Sequence, residues 1–149
     1  MRVRCIVVKL CFVAKKPSYK DYPKELNTLG DHLRKVRLDR NMSQSDVAEV
    51  IGADTDTITC WELNRNTPTA KCSKKIIEFV GYIPSEWSNG QIGQQLHYTR
   101  LICGMTQKDI ALKLGLDCST IHLVENGSRQ PMLKTRQKIE KLVSQHFAN

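Results

Sequence analysis

The stretch Met42–Glu62, MSQSDVAEVIGADTDTITCWE, is matched later in the chain by Met105–Glu125, MTQKDIALKLGLDCSTIHLVE. The two align without a gap, 63 positions apart, in their apolar, small and capping residues. A repeat at this period points to one structural unit used twice. In each copy a hydroxyl residue, Ser43 or Thr106, precedes a Gln and then an Asp, Asp46 or Asp109. That order reads as a helix start: the hydroxyl accepts from a free backbone N–H, and the acid lies at the positive end of the helix dipole. Val47, Val50 and Ile51 are the expected buried positions of a short helix, with small Ala48 where it lies close to a neighbour. Gly52, or Gly115, then breaks the helix and allows a sharp turn. Asp54 and Asp117 are expected to cap the helix that follows.

That following helix runs from Thr55 to Leu63, with Ile58 and Trp61 inward and Thr55, Asp56, Thr59 and Cys60 outward. In the second copy Ile121 and Val124 point inward, and Cys118, Ser119, His122 and Leu123 outward. Two short helices joined by a tight glycine turn form a helix-turn-helix. Upstream, LGDHLRKVRLDRN (29–41) places Leu29, Leu33, Val36 and Arg37 at i, i+4, i+7 and i+8, with Asp31, Arg34, Lys35 and Arg40 outside. Asn41 is expected to end this helix in the left-handed conformation, where the second copy has Gly104.

Charge divides the chain. Residues 1–23 carry six Lys/Arg against one acid, residues 24–84 carry nine of each, and residues 90–149 carry eight basic against four acidic residues. A positive field of this kind suits a polyanion such as nucleic acid, and equally a solubilising surface. The low aromatic content, 6%, disfavours single-strand binding by rows of stacked rings. None of the six cysteines forms a C-x-x-C pair, so free thiols in a reducing compartment are expected and no metal. The basic start MRVRCIVVKLCFVAKK resembles a signal peptide superficially, but Lys9 interrupts its apolar run. A cytoplasmic protein without a membrane span is expected. The histidines are scattered, and no Gly-rich phosphate loop or catalytic carboxylate pair occurs, so the expectation is a protein that is not an enzyme, with no cofactor and no small-molecule ligand.

Arg37, Ser43-Gln44, Asp46, Ala48, Gly52, Ile58, Glu62 and Pro68 form a pattern repeated by Arg100, Thr106-Gln107, Ala111, Gly115, Ile121, Glu125-Asn126-Gly127 and Pro131. On these residues each copy resembles the DNA-binding domain of the Cro and phage-repressor (Xre-type) helix-turn-helix family. The resemblance covers most of 29–84 and 92–147. It implies an all-α fold of two tandem lambda-repressor-like domains, each of four to five short helices, whose third helix enters the major groove. It implies phosphate contact by Gln44 and Gln107, and structural ion pairs Arg37–Glu62 and Arg100–Glu125. The DNA-facing set is then Gln44, Thr55, Asp56, Thr57, Thr59 and Cys60 in the first domain. In the second it is Gln107, Lys108, Cys118, Ser119, Thr120, His122, Asn126 and Arg129. Lys108, Arg129 and Lys134 read either as backbone contacts or as solvated surface. Met42, Met105 and Trp61 read as core.

The expected organisation is a basic arm (1–23), a first domain (24–84), a joint (85–91) and a second domain (92–149). In the joint Pro84 is expected to stop the preceding helix, Asn89-Gly90 to turn the chain, and Trp87 to pack against one domain or both. The copies are unequal. Asp56 sets an acid on the outward face of the first reading helix, which repels phosphate yet can accept from a cytosine amino group. Asn64 stands where the family has Gly. With a net charge of zero on residues 24–84 against a net positive charge on residues 90–149, the second domain is expected to supply more of the DNA affinity, and the first to tune specificity or mediate association. The functions implied are a double-stranded-DNA-binding transcriptional regulator acting in the nucleoid, repression being the commoner mode in that family, or a protein-interaction or antitoxin-like module of the same fold. One chain spanning both half-sites, or a homodimer, would suit operator DNA.

Overall fold

The computed structural model describes residues 21–147. Of the expected basic arm, all but its last three residues lie outside these, as do residues 148–149. The described residues form eight α-helices and no strand. The first four are α1 (Leu29–Asp39), α2 (Gln44–Ile51), α3 (Thr55–Glu62) and α4 (Ala70–Val80). A 3₁₀ turn (Ser85–Trp87) leads to α5 (Ile92–Cys103), α6 (Gln107–Leu114), α7 (Cys118–Glu125) and α8 (Leu133–Phe147). None is long and apolar enough to cross a membrane.

Local chemistry sets the boundaries. Asp46 N donates to Ser43 Oγ (3.1 Å), and Ser43 N donates back to Asp46 Oδ2 (2.7 Å). Thr106 and Asp109 repeat this reciprocal cap at 3.2 and 2.8 Å. The Ser43 N–H holds the Asp46 carboxylate below its usual range, and the Thr106 hydroxyl (2.7 Å) and N–H do the same for Asp109. Asn41 and Asn64 adopt positive φ (53° and 55°), as the sequence predicts for residues standing in for Gly104 and Gly127.

Four expectations are corrected. Val50 is 62% exposed, because Val47, Ala48 and Ile51 already fill the core side of the two-turn helix α2. Asp54 and Asp117 occupy the N-cap positions of α3 and α7, but neither side chain makes a capping hydrogen bond. Helix α4 ends at Val80 and is capped by Gly81 in the left-handed conformation (φ 85°), three residues before Pro84. Helix α3 ends at Glu62, one residue short of Leu63.

Each set of four helices closes on its own apolar cluster. Leu33, Val47, Ile58 and Ile76 centre the first, and Leu96, Ile110, Ile121 and Ile139 the second. Backbone closeness is needed at Gly30 and Gly93, again 63 positions apart. A Cβ at Gly30 would overlap the Trp61 carbonyl, and one at Gly93 the Val124 carbonyl. These glycines let the first helix of each set cross its third helix at backbone contact. Helices α4 and α5 pack against each other. Leu101 joins the first cluster, and Phe147 packs against both. Trp87 is buried and stacks on Tyr98 (4.5 Å between centroids, 6° between planes), tying the joint to α5. His32, which belongs to no motif of the repeat, is also buried, with Nδ1 2.9 Å from the Tyr82 hydroxyl. Burial lowers its pKa.

Candidate nucleic-acid interface

The polar cluster at the start of α2 is built around Glu62. Arg37 Nε donates to Glu62 Oε1 (2.6 Å), and Arg37 Nη2 donates to Oε2 (2.8 Å). This bidentate pair is nearly dry, with the Arg37 and Glu62 side chains 11% and 2% exposed. Arg37 Nη1 also donates to the Met42 carbonyl (3.1 Å), fixing the turn between α1 and α2. Gln44 Nε2 donates to Glu62 Oε2 (2.9 Å), and Thr59 Oγ1 donates to Gln44 Oε1 (3.0 Å). Gln44 is therefore held at both ends of its amide.

The same scaffold recurs at α5–α7. Arg100 Nε and Nη2 donate to Glu125 Oε1 and Oε2 (2.9 and 3.2 Å), and Nη1 donates to the Met105 carbonyl (3.2 Å). Gln107 Nε2 donates to Glu125 Oε2 (2.9 Å). One partner is new: His97 Nδ1 lies 3.0 Å from Arg100 Nη2 and 3.3 Å from Glu125 Oε2. That nitrogen serves either as acceptor from the arginine or as donor to the carboxylate, not both at once. Burial would raise the Glu125 pKa, but hydrogen bonds from His97, Arg100 and Gln107 outweigh it and bring it down to about 2.

Each expected ion pair is thus present. Both glutamines lie at the N-terminus of the second helix of their set, half-buried, with the side-chain nitrogen tied to the glutamate. A primary amide has two N–H donors, so one bond to the carboxylate leaves the other for a phosphate.

The outward faces are less uniform than expected. On α3, Thr55 and Asp56 are exposed, whereas Thr57, Thr59 and Cys60 are half-buried. Thr59 Oγ1 also lies 3.0 Å from the Thr55 carbonyl, so its hydroxyl is engaged within the protein. On α7, Ser119, His122 and Leu123 are exposed and Thr120 is half-buried. Cys118, expected to face outward, is half-buried and packs against the second core, because it opens the first turn of α7 beside the Leu116 turn. Asn126 follows the helix, its Nδ2 lying 3.0 Å from His122 Nε2. Lys108, Arg129 and Lys134 are all exposed.

Two groups bracing this site were missed at the sequence level. Lys75 Nζ donates to the Ile51 carbonyl (2.9 Å), and Lys138 Nζ to the Leu114 carbonyl (3.0 Å). Each ammonium satisfies a free carbonyl at the end of α2 or α6, where the helix dipole is negative. Their equal spacing in the repeat was the available signal. Among the described residues no cluster of His, Cys, Asp and Glu could hold a metal ion.

No curated protein and no solved structure matches the chain. Residues 96–143, which run from within α5 to within α8 and include Gln107, α7 and Glu125, match the helix-turn-helix family, and this match supports DNA binding with a regulatory role.

Proposed function

We propose that the chain is a sequence-specific double-stranded-DNA-binding regulator that represses by occupying promoter DNA, with two tandem helix-turn-helix domains. The carrying observation is the surface of α7. Ile121 and Val124 anchor the helix in the core, while Ser119 and His122 stay outside, next to Asn126. Short polar side chains on an anchored helix suit base edges in the major groove. Gln107 and Lys108, at the start of α6, suit the flanking phosphates. The tandem reading rests on recurrence: the Arg–Glu–Gln cluster, the close-approach glycines and the lysine caps are each found in both sets. The same reading assigns α3 to a second stretch of groove.

A second reading is a protein-interaction module, favoured by Leu123, an apolar side chain exposed on the reading face of α7. Selection of duplexes from a random pool at near-physiological salt separates the two. Enrichment of two half-sites about ten base pairs apart supports reading by both domains. A single half-site restricts reading to one. Binding without enrichment that disappears as salt rises leaves only phosphate attraction and favours the interaction module.

A further inference from the structure

The two sets of four helices meet along a seam whose sides are different. On the second set the seam is α5: Leu101 joins the first apolar cluster, and Tyr98 and Ile102 pack against it. On the first set it is α4, which packs along α5. At one end of the seam α4 lies over Gly104, where a Cβ would stand 3.0 Å from Lys74 Cδ and 3.7 Å from the Ala70 carbonyl oxygen. Ala70 also borders a groove of about 500 Å³ with Thr106, Gln107 and Lys108 at the start of α6. The first set therefore runs up to the surface that the second offers to phosphates.

A two-fold axis between the sets would return every contact with the roles exchanged, α1 meeting α8 as α5 meets α4. These contacts are not returned. Tyr98 and Ile102 correspond to Lys35 and Asp39, an ion pair whose side chains are 41% and 46% exposed. Leu101 corresponds to Leu38, which belongs to neither apolar cluster. Ala70 and Lys74 correspond to Leu133 and Gln137, both open to solvent. The seam is a heterologous, head-to-tail contact.

Two sets that dock alike on one straight duplex are related in one of two ways. A dyad across the DNA axis turns one half-site round and exchanges the strands. A screw along the axis repeats the half-site in the same direction on the same strand. The dyad demands the returned contacts that this chain lacks. We propose that the duplex recognised by one chain carries its two half-sites as a direct repeat, not as the palindrome that two-fold-related helix-turn-helix dimers read. The proposal rests on the reading of both sets as DNA-binding. The apolar α5 and the ionic α1, at the same positions of the repeat, write this one-way order into the sequence.

The test is photocrosslinking of the full chain to the duplex enriched from a random pool. Ser45→benzoylphenylalanine and Lys108→benzoylphenylalanine place the probe at exposed positions that follow Gln44 and Gln107 and correspond across the repeat. Circular dichroism checks that the helices are retained. The two crosslinks should map to the same strand, displaced by the spacing of the half-sites. Phosphate-ethylation interference on the natural chain reads the same geometry without a variant: its pattern should repeat along each strand. Crosslinks on opposite strands, or an interference pattern mirrored between strands, would overturn the direct repeat and leave the DNA reading intact. Crosslinking and interference confined to one set would overturn it too, since only one half-site would then be read. A pool with no enriched duplex removes the DNA reading itself, and the direct repeat with it.

Discussion

Glu62 and Glu125 occupy the same place in two copies of one scaffold, yet the side chains that face them differ. Around Glu62 the acceptors for Arg37 are the carboxylate and the Met42 carbonyl. Around Glu125, His97 adds a ring nitrogen within reach of both Arg100 and the glutamate. The outward faces diverge further: Asp56 on α3 corresponds to Ser119 on α7. The scaffold is what the repeat preserves, and the exposed positions carry the differences. Two such halves can keep one scaffold while their exposed faces take separate tasks.

Removing the glutamates should break this comparison most visibly. Glu62→Ala leaves Arg37 nearly buried with only the Met42 carbonyl to accept, and should cost about 3–5 kcal/mol. Glu125→Ala should fall at the low end of that range, about 3 kcal/mol, because His97 Nδ1 remains as an acceptor for Arg100. Urea unfolding of the two variants measures both. Equal losses would show that His97 contributes nothing to the cluster.

Acid should expose the same cluster next. Glu125 titrates at about 2 in the folded chain, below the ordinary glutamate value. As pH falls the unfolded chain therefore takes up the proton first. The stability this carboxylate contributes is complete above the ordinary value and is lost as pH falls toward about 2. The urea midpoint should drop across that window, and Glu125→Gln should flatten part of the fall. A variant with an unchanged acid profile would mean that other carboxylates govern it.

Much of this scaffold was legible in the sequence. The reciprocal caps of Ser43 and Thr106, the turns at Gly52 and Gly115, and the asparagines at positive φ each depend on a few neighbouring residues. The Arg–Glu pairs became legible through the family resemblance. Long-range packing was not. Gly30 and Gly93 lie inside helical patterns, where glycine alone does not reveal that another backbone passes against it. Lys75 and Lys138 carry no local signal, because their carbonyl partners lie 24 residues upstream. Val50 is exposed where the pattern predicts burial, because a two-turn helix fits an apolar residue on either flank, and only the packing of its neighbours decides which flank is covered. Thr59 bonds to Gln44, and Cys118 packs against the second core, contacts that their sequence neighbours do not reveal.

Binding should separate the halves more gently than stability does. Gln44 is held at both ends of its amide, by Thr59 and Glu62, whereas Gln107 makes the single bond to Glu125. The last four helices also lie in the basic part of the chain. Gln107→Ala should therefore weaken duplex binding about tenfold, and Gln44→Ala about threefold, as expected for loss of a phosphate contact. Fluorescence anisotropy with the selected duplex at fixed salt gives the ratio. Equal losses would remove the asymmetry between the halves.

The smallest effect concerns Asp56 itself. It is exposed on the first turn of α3, where a carboxylate repels the phosphates on either side of a groove. Asp56→Ser installs the residue that α7 carries at Ser119. Removing one negative charge from the contact should raise affinity for unselected duplex by a few-fold, about 1 kcal/mol or less, and the gain should shrink as salt increases. If Asp56 accepts from a cytosine amino group, the same substitution should lower affinity for the selected duplex while raising it for the others. A variant that binds both pools as the natural chain does would place α3 away from the DNA and leave α7 as the reading helix.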